Sequence, residues 1–146
     1  MRFSTAHSLR RWLPCLAVVI AGCATAPRQP PADVDWRLVE LDGAQIAAAS
    51  GRREPYLRLL SEGGRLTGFT TCNNLFGRYE ASGRGRVRIV QLGSTKMACV
   101  DPALSLQEQR FMAALQAVDR FAVTGETLTL FEGRRPRARF VAARLR

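Results

Sequence analysis

Histidine is almost absent from this 146-residue sequence: the single histidine is His7, close to the first residue. The rest of the chain therefore has no imidazole for a Ser-His-Asp triad, a Cys-His pair or a histidine-bearing zinc site. Glycine patterns of the Walker or dinucleotide-binding type are missing as well. These absences exclude most hydrolase mechanisms, and we predict a protein without catalytic residues, cofactor or bound metal.

A hydrophobic run long enough for a permanent transmembrane helix is also lacking near the start of the chain. Residues 12–22 are mostly apolar, but spanning a bilayer takes roughly 20 apolar residues. Arg2, Arg10 and Arg11 precede this run without any acidic residue, and small residues end it. A charged region followed by a short apolar region is typical of a secretion signal.

The end of that signal, Ile20-Ala21-Gly22-Cys23, resembles the lipobox of bacterial lipoproteins. The resemblance implies cleavage between Gly22 and Cys23, a diacylglycerol thioether on Cys23, and an N-terminal acyl chain such as palmitate. Ala24 after the cysteine implies the periplasmic face of the outer membrane. The alternative is an ordinary signal peptide with an incidental cysteine.

The sequence accordingly divides into three segments. Residues 1–22 are predicted to be a lipoprotein signal peptide. Residues 23–34 carry the lipidated cysteine and a proline-rich tether, which favours an extended connection to the membrane. Residues 35–146 form one domain, the size expected for a single packed core.

Lysine is nearly absent too, since Lys96 is the single lysine and arginine supplies the remaining basic charge. The net charge is +10, and loss of the three arginines in residues 1–22 lowers it to +7. The arginines are scattered, and an exported domain meets little nucleic acid, so we predict no nucleic-acid partner. Weak contact with anionic lipid head groups or cell-wall polymers stays open.

Short alternating segments separated by turn residues predict antiparallel strands. The expected strands cover residues 36–41, 56–60, 65–71, 75–81, 86–90, 121–124, 128–131 and 138–142. One segment has helical spacing instead and predicts a helix from about residue 102 to 118, with Asp101 as its cap and Pro102 in its first turn. Its apolar face would pack on the core through Leu104, Phe111, Met112, Leu115 and Val118.

Cys72 and Cys99 are the cysteines that remain once Cys23 carries lipid and Cys15 leaves with the signal. An oxidising periplasm favours a disulfide between them if the fold brings them together. The alternative is a reactive thiol, activated by Arg78 or by the start of the following helix. That alternative describes a thiol/disulfide-active envelope protein that uses Cys72 and Cys99.

Asn73 and Asn74 follow the first of these cysteines. Exposed amides bind sugars and peptides well, so these two residues and Arg78 are candidate loop or ligand contacts. Asparagine more often holds a tight turn, because it tolerates left-handed backbone and its side chain caps backbone groups. The structural interpretation of the two asparagines is therefore favoured.

The two cysteine segments together resemble the META domain, the HslJ-like family. The resemblance rests on residues 68–79, GFTTCNNLFGRY, and residues 94–99, STKMAC, with further agreement at Trp36-Arg37-Leu38, in residues 107–111 and at Leu128-Thr129-Leu130. It covers nearly all of residues 35–142. Thr71 stands where the family commonly has glycine. We expect the threonine to relax the backbone at this one position.

The resemblance implies a mostly β fold with one helix (α+β), as a small curved antiparallel sheet or cracked β-barrel packed against a single α-helix. Relatives are envelope lipoproteins linked with heat-inducible expression and novobiocin resistance, and no catalytic residues are established for them. We therefore expect a non-enzymatic lipoprotein that binds an envelope protein or an apolar ligand and contributes to envelope maintenance, stress response or drug tolerance. Whether the barrel interior is hollow or filled stays open at this point.

Overall fold

The computed structural model describes residues 29–46 and 53–143. Gly22 and Cys23 lie outside the described residues, as does the whole predicted signal peptide. In the described part, nine strands and one helix follow the chain in this order: β1 Asp35–Leu41, β2 Ala44–Gln45, β3 Tyr56–Leu59, β4 Arg65–Phe69, β5 Asn74–Gly83, β6 Arg86–Ser94, α1 Pro102–Ala117, β7 Arg120–Thr124, β8 Thr127–Glu132 and β9 Arg135–Ala142. A short 3₁₀ turn, Glu62–Gly64, joins β3 to β4.

These strands form one antiparallel sheet in the order β2-β1-β3-β4-β5-β6-β7-β8-β9, and β9 returns to pair with β1. The ring is weakest between β6 and β7, where the ladder consists of the single pair Arg86↔Arg120. Helix α1 connects these two strands along the chain. The predicted fold class, a curved sheet or cracked barrel with one helix, is confirmed.

The predicted strands differ from the observed ones mainly at their ends. β4 stops at Phe69 rather than at residue 71, because the chain turns sharply through Thr70 and Asn73. β6 continues to Ser94 rather than to residue 90, because its second half pairs with Leu75 and Phe76 of β5. The two-residue strand β2 was not predicted, since it is too short to show alternation.

Helix α1 begins as the sequence predicts. Asp101 accepts a hydrogen bond from the Ala103 N–H at 2.8 Å, and Pro102 occupies the first helical position. Phe111, Ala114 and Leu115 form the buried face, whereas Met112 is partly buried and packs against the core from its edge. No helix within the described ranges has the length and apolar character needed to cross a bilayer.

The interior of the ring is filled by side chains. Phe111 of α1 lies against Phe140 of β9 with 6.0 Å between the ring centroids, and both are fully buried. Inward-facing residues of seven further strands pack around this pair, among them Trp36, Leu38, Leu57, Leu59, Leu66, Leu75, Val87, Ile89, Phe121, Leu128 and Leu130. Within each strand the inward-facing residues alternate with more exposed ones, as the pleat of a β-strand requires.

Residues 29–34 fold back over one end of the sheet. The Trp36 indole N–H donates to Pro31 O at 3.2 Å, and Asp33 accepts the Ser61 N–H at 3.3 Å. Hydrogen bonding from Ser61 lowers the pKa of Asp33. Beneath this segment, Tyr79 donates to Leu60 O at 3.1 Å, and burial raises the pKa of Tyr79.

Candidate functional site

The two cysteine segments meet on one side of the sheet and are joined covalently. Cys72 lies in the turn between β4 and β5, and Cys99 lies in the loop from β6 to α1. Their Cα atoms are 5.6 Å apart and their sulfur atoms form a disulfide that closes a separation of 27 residues. The bridge expected from the sequence is therefore present.

Asn73 links the same two segments through its side chain, which is 4% exposed. Its Oδ1 accepts from the Met97 N–H and from Thr95 Oγ1, both at 2.7 Å. Its Nδ2 donates to Met97 O at 3.1 Å and to the Glu108 carboxylate of α1 at 3.0 Å. One amide thus holds the turn, the loop and the helix together, which accounts for its burial.

Asn74 and Arg78 are exposed and make different contacts. Asn74 accepts one long hydrogen bond from Arg53 at 3.5 Å, and its backbone N–H donates to Thr95 Oγ1 at 3.1 Å. Arg78 donates to Gly63 O at 2.8 Å in the 3₁₀ turn. Because it lies four residues along β5 from Asn74, roughly 13 Å away, Arg78 does not join the disulfide site.

Glu108 is a member of the site that was not singled out from the sequence. Its carboxylate lies 3.5 Å from the Cys99 sulfur, a contact without a hydrogen bond because a disulfide sulfur carries no proton. Cys72, Cys99 and Glu108 have their ligand atoms within 4.8 Å of one another. Metal binding would require thiolates, and both sulfur atoms are committed to the disulfide.

The Glu108 carboxylate also argues against a reactive thiol at Cys99. A thiolate is favoured by a neighbouring positive charge, but the charged group beside Cys99 is negative. A nearby negative charge opposes ionisation of a thiol. The arrangement therefore suits a stable bridge better than a reactive cysteine.

Thr71 carries backbone strain at the centre of the turn. Its φ is +129°, a region that a β-branched residue rarely adopts. Its Oγ1 is buried and has no hydrogen-bond partner among the described residues. The expectation that threonine relaxes this position is wrong. The backbone keeps a conformation suited to glycine, and Thr71 is strained in it.

We therefore expect Thr71→Gly to stabilise the domain by about 1 kcal/mol, as relief of strain and of a buried unpaired hydroxyl outweighs the added freedom of the unfolded chain. Urea unfolding followed by circular dichroism measures the change. Thr71→Ser is the matched control: it keeps the hydroxyl and the Cβ and should gain much less. Equal or lower stability of the glycine variant would contradict the strain assigned to Thr71.

Two clefts flank the disulfide. A groove of about 500 Å³ runs between the loop after β6 and one side of α1, lined by Thr95, Met97, Glu108, Gln109, Met112 and Ala113 among others. A second cleft of about 410 Å³ lies on the other side, lined by Thr71, Val100 and Leu104 among others. Met97 is 57% exposed and Val100 fully exposed. The side chains at this site combine apolar surface with fixed polar groups, as binding sites commonly do.

A family model of the META domain matches residues 29–144. The chain belongs to the META domain family. The family is not a known enzyme family, and membership suggests a non-catalytic role associated with the cell envelope.

Two solved structures are similar in fold. An NMR structure of a protein from Burkholderia xenovorans is 26% identical to the META chain, covers 77% of it and 83% of its own length, and superposes with a TM-score of 0.60. A second NMR structure, 19% identical, covers 74% of the chain and 88% of its own length with a TM-score of 0.57, and shows the fold alone. Among curated proteins, none matches the chain significantly.

Proposed function

We propose that this protein is a lipoprotein of the bacterial outer membrane, anchored through Cys23, whose META domain binds a partner protein on the disulfide side. The domain would act without catalysis in envelope maintenance and in tolerance to novobiocin-type drugs. Support for anchoring comes from the lipobox and from the short segment that separates Cys23 from the folded domain. Support for the non-catalytic role comes from the family.

The observation that carries the choice of partner is the filled interior. Phe111, Leu57, Leu128 and Phe140 are each 0% exposed, so side chains occupy the space where a carrier would hold an apolar ligand. The groove between the β6–α1 loop and α1 is open to solvent and rigidly held by Asn73 and the disulfide. A surface held in one conformation binds a partner with little loss of conformational entropy. The groove therefore suits a protein partner, whereas the filled interior leaves no room for an apolar ligand inside the ring.

The alternative, a thiol/disulfide-active envelope protein, is less well supported. The Glu108 carboxylate beside Cys99 opposes a thiolate, and both cysteines are only partly accessible. Alkylation mapped by mass spectrometry separates the two proposals. A bridge that survives mild reductant supports the binding role, whereas one labile thiol would support redox activity.

The experiment is complementation of a bacterial strain that lacks the gene, using full-length variants. Cys23→Ser removes the proposed lipid site, and Cys15→Ser is its control in the same segment. Ala113→Glu places a charge in the groove on an exposed helix position, and Ala103→Glu is its control at an exposed position of the first turn. Membrane fractionation, labelled palmitate and novobiocin sensitivity are measured.

We expect Cys23→Ser to lose the label and leave the membrane fraction, while Cys15→Ser keeps both. Ala113→Glu should stay in the membrane but fail to restore drug tolerance, and Ala103→Glu should restore it. Palmitate incorporation without Cys23 would overturn the proposed anchoring. Full rescue by Ala113→Glu would overturn the proposed use of the groove.

A further inference from the structure

Four exposed arginines cluster around the β5–β6 hairpin and form what we call the arginine surface: Arg84, Arg86, Arg88 and Arg120. None of them makes an ion pair with a described residue. Most other arginines on the described sheet have acidic partners, and Arg78 of β5 is the exception. The paired arginines are Arg37, Arg58, Arg65, Arg135, Arg137 and Arg139. The arginine surface is therefore positive charge that the described fold leaves unbalanced.

The backbone brings three of these side chains together, those of Arg86, Arg88 and Arg120, and Arg84 lies in the turn of the same hairpin. Arg86 and Arg120 are directly opposite each other in the ladder between β6 and β7. Arg86 and Arg88 point to the same face because they are two residues apart on one strand. Like charges directly opposite each other in a ladder destabilise a sheet, so the Arg86–Arg120 pair lowers the stability of the folded domain.

Two carboxylates lie nearby without cancelling this charge. Asp119 and Glu80 line a cleft of about 310 Å³ together with Arg86 and Arg88. The Asp119 carboxylate accepts the Gly133 N–H at 2.9 Å. Glu80 is also directly opposite Arg88 in the ladder between β5 and β6. The four arginines outnumber these two carboxylates, so the surface keeps a net positive charge.

The start of the described chain lies beside the same hairpin. Gln29 shares a cleft with Tyr79 and Ala81 of β5. Ala81 pairs with Val87, which points to the opposite face of β6 from its neighbours Arg86 and Arg88. Gln29 is therefore next to the hairpin, on the face opposite the arginine surface. Cys23 is six residues before Gln29, so whatever path the chain takes, the lipid site is within roughly 20 Å of that position.

We propose that the arginine surface docks the domain onto the anionic phospholipid head groups of the membrane that holds its lipid. This inference rests on the proposed anchoring through Cys23. Guanidinium groups bind phosphate through paired hydrogen bonds, and a short tether keeps the hairpin close to the bilayer surface. The groove beside the disulfide is then free to meet a partner protein.

The test uses the chain from Ala24 to Arg146 without lipid, because the core and the closing pair of strands lie within the residues it contains. Binding is measured by co-sedimentation with vesicles of phosphatidylcholine mixed with phosphatidylglycerol, and with pure phosphatidylcholine. We expect binding to the mixed vesicles that weakens as salt is raised. The double variant Arg86→Gln/Arg120→Gln should bind about 25-fold more weakly, since each basic residue at an anionic surface contributes about fivefold.

The matched control is Lys96→Gln/Arg110→Gln, which removes the same charge from exposed residues on the loop and helix. It should retain most of the binding. Equal loss in both double variants would mean that net charge alone matters and would overturn the proposal, as would equal binding to pure phosphatidylcholine. Circular dichroism confirms that each variant is folded. Failure of lipid attachment at Cys23 leaves this result unchanged, because the tested chain carries no lipid.

Discussion

Replacement of Asn73 by alanine is expected to lower the free energy of unfolding by about 3 kcal/mol, because four hydrogen bonds are lost, one of them to a carboxylate. The side chain binds Thr95, both backbone groups of Met97 and Glu108. Alanine leaves the Met97 N–H and its carbonyl without these partners. Chemical unfolding of the oxidised protein measures the change.

Asn74→Ala is the matched control, since this neighbouring side chain is exposed and accepts one hydrogen bond, at 3.5 Å. We expect it to change stability by less than about 0.5 kcal/mol. A loss for Asn73→Ala no larger than that of the control would show that the amide does not hold the loop to the helix.

Asn73→Asp separates the acceptor role of the side chain from its donor role. It keeps an oxygen for Thr95 and Met97 but places a second carboxylate against Glu108, where the amide nitrogen is now 3.0 Å away. Two carboxylates this close favour retaining one proton in the folded state. The variant should therefore be least stable at neutral pH and regain stability relative to wild type as the pH falls through the carboxylate range. A pH-independent difference would contradict the contact with Glu108.

The second large effect is expected from Cys72→Ala/Cys99→Ala, which removes the bridge. In the chain-entropy account, closing a loop of this length contributes about 3 to 4 kcal/mol, since the bridge restricts the unfolded chain. The separation of 27 residues sets this magnitude. Urea unfolding in non-reducing buffer should show the loss as a lower midpoint.

Reductant supplies the control for the disulfide. It should bring the wild-type protein close to the stability of the double alanine variant and leave that variant unchanged. If the variant matches the oxidised wild type, the bridge contributes no stability, and a role for Cys72 and Cys99 outside structure becomes the better interpretation.

Several features of the fold follow from local pattern alone. The helix was predicted within one residue because Asp101 and Pro102 are start signals and Phe111 and Leu115 fall on one helical face. The strand ends were less accurate. The turn at residues 70–73 is held by contacts of Thr70 with Asn73, and the end of β6 depends on its pairing with β5.

The candidate site was predicted only in part, because some of its residues are recognisable locally and others come together only in the fold. Its cysteines and Asn73 stand out as residue types in a short string, and the disulfide was expected once an oxidising location was predicted. Glu108 was missed because it meets Asn73 across 35 residues of chain. The strain at Thr71 also escaped notice, since the residue type alone does not reveal a positive φ.

Composition and local order thus indicated most of the strands, the single helix and the cysteine pair. These features depend on residue type and on periods of two or 3.6 residues, both of which are written along the chain. Closure of β9 onto β1, the filled interior, the link from Asn73 to Glu108 and the gathering of the arginine surface came only from the tertiary structure. Each of these features depends on contacts between residues far apart in sequence. Such contacts are determined by how the whole sheet curves and closes.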